Sequence, residues 1–298
     1  MPELPEVETI VRGLDKVLSG KKISAVKILN KKSFLGERSE ILGKKIIAVR
    51  RRAKYIIFEL ERGKYLLIHL KMTGQLIWQS QKIPNNKVVG GHPDEMYRRQ
   101  DKLPHKYTRV YFEFDDGSRL FFNDLRVFGW IKIVDQGELK TLLSDLGFEP
   151  LPYTKNDRKS GELLILGVSN LNSIIQKYPR RRIKDLLQDQ KLIAGIGNIY
   201  SSEILFCAGV LPGRAAGSLT AREIRKIYQS INRVLSKAVK LGGTSMSDYR
   251  KVDGSKGGYL DEAGVYAREG EKCRKCAGKI KRKKIGQRSA YFCPHCQV

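Results

Sequence analysis

The chain has 298 residues, enough for two modest domains that each bury a core. Lys and Arg number 57 against 31 Asp and Glu, a formal net charge of +26 that points to a polyanion, nucleic acid ahead of an anionic membrane. No apolar run approaches the ~18 residues of a membrane span and no charged-then-apolar leader is present, so the sequence reads as a soluble cytoplasmic protein.

The opening residues are Met1-Pro2-Glu3-Leu4-Pro5-Glu6. Leu4, Val7, Val11, Leu14 and Leu18 recur at helical spacing, with Pro5 tolerable in the first turn. Removal of Met1 exposes a secondary amine followed at once by a carboxylate. An α-amino group has a pKa of about 8 against about 10.4 for lysine, so part of it is unprotonated at neutral pH. An iminium formed from a secondary amine has no N–H to lose, stays cationic and withdraws electrons. Glu3 stands next to it as a proton donor or acceptor. The same dipeptide is also an ordinary helix start.

Short apolar runs follow at Lys22–Leu29, Lys45–Arg51, Lys54–Leu60 and Lys64–Lys71, several of them alternating. Arg109–Phe114 and Arg119–Phe122 flank Asp115-Asp116-Gly117-Ser118, a hairpin turn, and Trp130–Val134 closes the set. The first ~135 residues are therefore expected to form a β-sandwich with attached helices. Between Gln79 and Lys106 the pattern lapses into a long loop. From Glu138 the period becomes helical, over Glu138–Leu146, Leu171–Tyr178, Ile183–Gln190 and Ile199–Cys207. A capping box at Thr220-Ala-Arg-Glu223 opens a helix that ends at Gly242-Gly243, with Pro150 and Pro152 marking a linker.

Four of five cysteines form Cys-x2-Cys-x16-Cys-x2-Cys at Cys273, Cys276, Cys293 and Cys296, the spacing of a four-thiolate zinc site. Four thiolates complete a tetrahedron, so His295 is expected to be a non-ligand, and Cys207 is expected simply to pack. The basic run Lys279-Ile-Lys-Arg-Lys-Lys284 and Arg288 between the pairs suit either a phosphate-binding finger or a solvated face. Ala194-Gly-Ile-Gly-Asn198 after Ile183–Gln190 reads as helix–turn–helix DNA binding rather than a dinucleotide site, which would need a third glycine. Arg126 and Phe128 alternate onto one face, as an arginine beside an aromatic wedge or as a surface Arg with a core Phe. Met72 is open to the same two readings. The glycine-rich stretch from Gly242 through Ser245 and Tyr249 to Gly258 either closes over a ligand or is a tether.

Taken in order, Pro2–Thr9, Arg52–Tyr55, His69–Gly74, Asp124–Gly129, Asp189–Tyr200, Gly242–Tyr249 and the four-cysteine ribbon resemble the formamidopyrimidine-DNA glycosylase family over nearly the whole chain. The resemblance implies an α+β protein of two domains: an N-terminal β-sandwich with flanking helices, and a C-terminal helix–two-turn–helix bundle with a four-cysteine zinc finger. The expected boundaries are 1–136 for the catalytic sandwich, 137–157 for a linker, 158–260 for the helical domain and 261–298 for the ribbon.

It further implies a monomeric bifunctional glycosylase and abasic-site lyase for oxidised purines in duplex DNA, associated with the nucleoid and holding one structural zinc. By the same resemblance the catalytic residues are Pro2, the nucleophile, Glu3, the acid/base, Lys54, which contacts phosphate beside the lesion and assists the lyase steps, and Arg288. Met72, Arg126 and Phe128 fill the gap left by the everted base, Asn198 and Arg288 pinch phosphate, and the loop around Ser245 and Tyr249 caps the lesion. The chain departs from the family in the length of Gln79–Lys106, in lacking histidines within Lys106-Tyr-Thr-Arg109, and in Phe148 where proline is more usual. The sister group, endonuclease VIII, with its oxidised pyrimidines, and a non-enzymatic zinc-ribbon binder are the rival readings. Because Pro2 carries an amide nitrogen while Met1 is attached, activity is expected only of the form that starts at Pro2.

Overall fold

The structure, a computed structural model, describes residues 1–81, 87–91, 102–151, 164–244 and 258–298. It forms two compact units, Met1–Ser144 with Leu241–Gly258, and Asp145–Lys240 with Tyr259–Val298.

The first unit starts with helix α1 (Leu4–Leu18), fixed at its amino end by a reciprocal capping box. The Glu3 carboxylate accepts the N–H of Glu6, and Glu6 Oε2 accepts the N–H of Glu3 at 2.8 Å. The strands of this unit are β1 (Ile23–Ile28), β2 (Phe34–Leu35), β3 (Ile46–Arg52), β4 (Tyr55–Leu60) and β5 (Lys64–His69). They continue with β6 (Gly74–Gln79), β7 (Lys87–Gly91), β8 (Thr108–Phe114), β9 (Arg119–Asp124) and β10 (Trp130–Asp135). One sheet has the order β1-β8-β9-β6-β7 and the other β2-β10-β5-β4-β3. Their facing sides share one core, with Val26, Phe112, Phe122 and Leu76 from the first sheet and Phe34, Ile131, Ile68 and Phe58 from the second.

Strand alternation sends Ile57, Leu67 and Val134 to the opposite side of the second sheet. There they meet Leu139 and Leu143 of helix α2 (Gln136–Ser144). Helix α1 lies against β3 and β7, the edge strands of the two sheets, and so covers two open hydrogen-bonding edges at once. Val7, Ile10, Val11, Leu14 and Leu18 bury fully there, each stabilising the fold by roughly 1.5–3 kcal/mol.

Two expectations change. The Gln79–Lys106 stretch, expected as a loop, contains β7, and the unrecognised β6 precedes it. Their glycines hid them. A Cβ at Gly90 would stand 2.5 Å from Ile10 Cγ1 of α1, and one at Gly91, whose φ is +123°, would stand 2.4 Å from the Gly74 carbonyl of β6, so the residues that look like loop punctuation are where neighbours press on the strand.

The second unit has helices α3 (Val168–Lys177), α4 (Ile183–Gln188), α5 (Asn198–Ala208) and α6 (Ala221–Lys240), then the ribbon strands β11 (Lys281–Ile285) and β12 (Arg288–Phe292). Helix α4 ends two residues before the expected Gln190, because Asp189 leaves the helix and its carbonyl and carboxylate bond the turn that follows. Helix α5 is buried on nearly all sides, with Tyr200, Ile204 and Leu205 at its centre. The amphipathic α6 lays Ile224, Ile227, Ile231, Val234 and Ala238 against it. Its expected capping box is present: Glu223 accepts the Thr220 N–H at 2.8 Å, and Thr220 Oγ1 accepts the Glu223 N–H at 3.3 Å.

Candidate active site

Pro2 and Glu3 are both buried at the head of α1. Glu6 does double duty there. Besides capping the helix, its Oε1 accepts the N–H of Thr244 at 2.7 Å and the Thr244 hydroxyl at 3.0 Å. The glycine before it has φ +79°, and a Cβ on Gly243 would lie 2.8 Å from that same carboxylate oxygen. The carboxylate beside the chain start thus fastens the first residues of the Gly242–Gly258 stretch. Ser245 and Tyr249, expected in a capping loop, lie outside the described residues.

Lys54 is only 6% exposed and sits in the turn between β3 and β4. Ala53 before it has φ +52°, a conformation non-glycine residues rarely adopt. What holds that turn is a buried ion pair. Glu8 of α1 accepts from Arg51 Nε at 2.8 Å, and Arg51 Nη1 donates to the Ala53 carbonyl at 3.2 Å. Removing one partner of such a pair costs on the order of 3–5 kcal/mol, because the other charge stays buried. Alternating strand spacing alone would not have singled out Arg51.

His69 is buried against Tyr55 and Trp130, and its Nδ1 accepts the N–H of Lys71 at 2.9 Å. Burial, with the cations of Lys71 and Lys54 adding to it, pushes its pKa down to about 3. Unfolded, the ring binds a proton below about pH 6.5. Between that pH and about 3 the unfolded chain takes up a proton that the folded chain refuses, so this contribution to stability is complete above pH 6.5 and falls as pH falls. Stability by urea titration should drop by roughly 1.5 kcal/mol between pH 6.5 and pH 5. His69→Gln should flatten that part of the profile, and an unchanged slope would place the titration elsewhere.

Met72 and Phe128 are 42% and 53% exposed, so neither packs in the core. Met72 tops the turn between β5 and β6, and Arg126 and Phe128 top the turn between β9 and β10. The Arg126 guanidinium lies over the Phe128 ring, 4.7 Å from its centre. The two turns are hydrogen-bonded to one another, since Thr73 Oγ1 accepts the Arg126 N–H at 3.1 Å. Structure therefore brings Met72, Arg126 and Phe128 together as an exposed cluster. In the segment where histidines are lacking, Arg109 Nε donates to the Asp124 carbonyl at 2.7 Å and steadies the base of the second turn.

In the second unit Asn198 begins α5. Its Oδ1 accepts from Lys184 Nζ at 2.7 Å and Gln188 Nε2 at 3.2 Å, which leaves the Asn198 amide nitrogen to donate. Lys184 is fully buried, and a lysine inside the apolar run Ile183-Lys-Asp-Leu-Leu187 was the one available signal for it. Gln190 stitches the two turns before α5, accepting from Gly195 N at 2.8 Å and donating to Ile196 O at 2.8 Å. A Cβ at Gly286, in the ribbon turn, would sit 3.7 Å from Asp185 Oδ1. The ribbon turn thus approaches α4 at Asp185; Arg288 is exposed and Asn198 half-buried.

The sulfurs of Cys273, Cys276, Cys293 and Cys296 all lie within 4.8 Å of one another. Cys273–Cys296 and Cys276–Cys293 stand 3.8 and 3.5 Å apart. A tetrahedron with zinc–sulfur bonds of about 2.3 Å has edges of about 3.8 Å, so the four thiolates fit one zinc and are too far apart for disulfides. His295 is not among them. The ribbon is held to α5 by Glu203, whose buried carboxylate accepts the N–H groups of Gly264, Val265 and Tyr266 at 2.8–2.9 Å. Gln297 Nε2 adds a bond to the Val210 carbonyl at 2.7 Å. Cys207 is half-buried on α5.

A sandwich presenting an exposed Met-Arg-Phe cluster, and a helix–two-turn–helix unit carrying a basic zinc ribbon, define a DNA-repair type of architecture. Three family models match in order: the formamidopyrimidine-DNA glycosylase N-terminal domain over residues 1–131, its H2TH domain over 166–250, and the zinc finger found in FPG and IleRS over 270–298. The chain belongs to the formamidopyrimidine-DNA glycosylase family. It is 38% identical to the enzyme of that name from Pelotomaculum thermopropionicum, over all of this chain and 99% of that one. It is 36% identical to the Synechocystis protein, over 100% and 98%. A solved complex of Lactococcus lactis Fpg with DNA containing an abasic site superimposes with a TM-score of 0.82 at 30% identity, covering 99% of each chain. The same protein is solved with DNA containing an N7-benzyl-Fapy-dG lesion, at a TM-score of 0.81.

Proposed function

We propose that this chain removes oxidised purines, 8-oxoguanine and formamidopyrimidines, from duplex DNA in base excision repair and then cuts the abasic strand, working as a monomer at the nucleoid. The observation that carries the reading is the exposed Met72, Arg126 and Phe128 cluster. A base inside a duplex is out of reach and must be everted, at a cost of a few kcal/mol of lost stacking that an inserted apolar wedge offsets. Arg126 supplies donors for the orphaned cytosine.

Once the base is out, the Pro2 nitrogen, free of Met1, bonds to C1′ as the glycosidic bond breaks, and the base leaves with a proton. Glu3 is the acid/base that helps open the sugar ring and yields the iminium. The cationic iminium acidifies the C2′ proton, so β-elimination releases the 3′ phosphate and δ-elimination the 5′ phosphate. Lys54 and Arg288 hold the phosphates beside the lesion, Asn198 donates to another, and Ser245 and Tyr249 belong to the loop over the lesion. Zinc, held by the four cysteines, organises the ribbon and takes no part in the chemistry. Residues 1–136 carry the reaction in this scheme, with 158–260 and 261–298 gripping DNA across the 137–157 linker.

Single-turnover excision from duplexes bearing 8-oxoguanine opposite C should exceed that from thymine glycol opposite A. A preference for thymine glycol would move the substrate to the oxidised pyrimidines.

A further inference from the structure

Asp124 ends β9 and is fully buried, yet it is a carboxylate at the foot of the two turns that carry the exposed Met72, Arg126 and Phe128. All of its polar atoms are engaged. Its N–H donates to the Tyr107 carbonyl at 3.0 Å, and its own carbonyl accepts from Arg109 Nε at 2.7 Å. Oδ1 accepts the Thr73 hydroxyl, in a short bond, and the Arg126 N–H at 3.3 Å. Oδ2 accepts the Gly129 N–H at 2.7 Å. Thr73 follows Met72, while Arg126 and Gly129 bracket Val127 and Phe128, so one side chain spans both turns.

The turns need such a clamp. Val127 has φ +55°, which a β-branched residue does not hold unaided. Lys71, before Met72, has φ +49°. The second turn also comes in very close, for a Cβ at Gly129 would lie 2.9 Å from Phe122 Cζ and 3.2 Å from Asp124 Oδ2. Two strained turns and a glycine contact are gathered on one carboxylate, which can accept from both sides at once because it has two acceptor oxygens and no donor.

We propose that Asp124 is the positioning residue that locks the Met72 turn and the Arg126–Phe128 turn into a single preformed wedge, so that the three side chains enter the base stack together. This rests on the wedge reading above. Asp124 touches no substrate and acts through Thr73, Arg126 and Gly129. Asparagine in its place keeps the volume but offers one acceptor oxygen and two donors, so one side of the clamp must open.

The test is Asp124→Asn in the full-length zinc-loaded protein, with Thr73→Val as a milder variant that opens only the Met72 side. Asp124→Asn should slow single-turnover excision of 8-oxoguanine on the order of ten- to a hundredfold, the scale of a roughly 1 Å misplacement. It should also delay the stopped-flow fluorescence change of 2-aminopurine beside the lesion. Borohydride trapping on preformed abasic DNA, which has no base to evert, should stay within about threefold. Combined with Asp124→Asn, Met72→Ala should cost less than it does alone, since a wedge already loosened has less to lose. Equal losses in excision and trapping, or excision at the wild-type rate by both clamp variants while Phe128→Ala slows it, would overturn the proposal. Excision unaffected by Met72→Ala and Phe128→Ala would instead sink the wedge reading itself.

Discussion

Protein that retains Met1 should leave no adduct when borohydride is added with abasic-site DNA, whereas protein beginning at Pro2 should be trapped covalently. The reason is electronic. The nitrogen of an internal proline is an amide whose lone pair is delocalised into the carbonyl, and only the processed amine can attack C1′. DNA binding, measured by fluorescence anisotropy, should be the same for both forms because the ribbon and the helical unit are untouched. Pro2→Gly on processed protein should depress base excision and strand cutting together, by on the order of a hundredfold or more. Glycine supplies a primary amine whose iminium can shed a proton and lose its pull on the C2′ hydrogen. Strand cutting at the wild-type rate would assign the nucleophile elsewhere, and trapping by neither form would favour a binding protein.

Stripping zinc should weaken binding to lesion duplex at least about tenfold. Zinc bound by four thiolates contributes about 10–16 kcal/mol to folding of isolated fingers, and the ribbon's own apolar core is small, Cys273, Ile280 and Cys293 packed with Phe206 and Val265. Arg288→Ala keeps the fold and should lose about tenfold, the scale of one charge-assisted contact to phosphate. The helices should persist in far-ultraviolet circular dichroism after chelation, since α3 to α6 bury their own core. Unmoved affinity in both experiments would remove the ribbon from the DNA contact.

What the sequence made legible was whatever repeats with a period or closes locally. The stripe from Leu4 to Leu18, the Asp115–Ser118 hairpin, the Thr220–Glu223 box and the cysteine spacing all specify their structure within a few residues, and each is present as expected. β7 was not legible, because Gly90 is selected by Ile10, a residue distant in the chain. Asp124, Lys184 and Arg51 escaped for the same reason, as buried charges whose meaning lies in a partner on another element. Phe128 and Met72 were open to a core reading until exposure decided it. The domain edges were the hardest to read, since Leu241–Gly258 groups with a unit that the chain had left nearly a hundred residues earlier.

Helix α1, wedged between β3 and β7 and pinned at five buried positions, gives the amine at its head very little freedom. A nucleophile on a loop must surrender translational and rotational freedom each time it meets a sugar carbon. In the mechanism proposed above that entropy is lost once, when the sandwich closes, and the amine acts as if present at a very high local concentration. Under that mechanism the packing of Ile10 against Gly90 sets part of the rate.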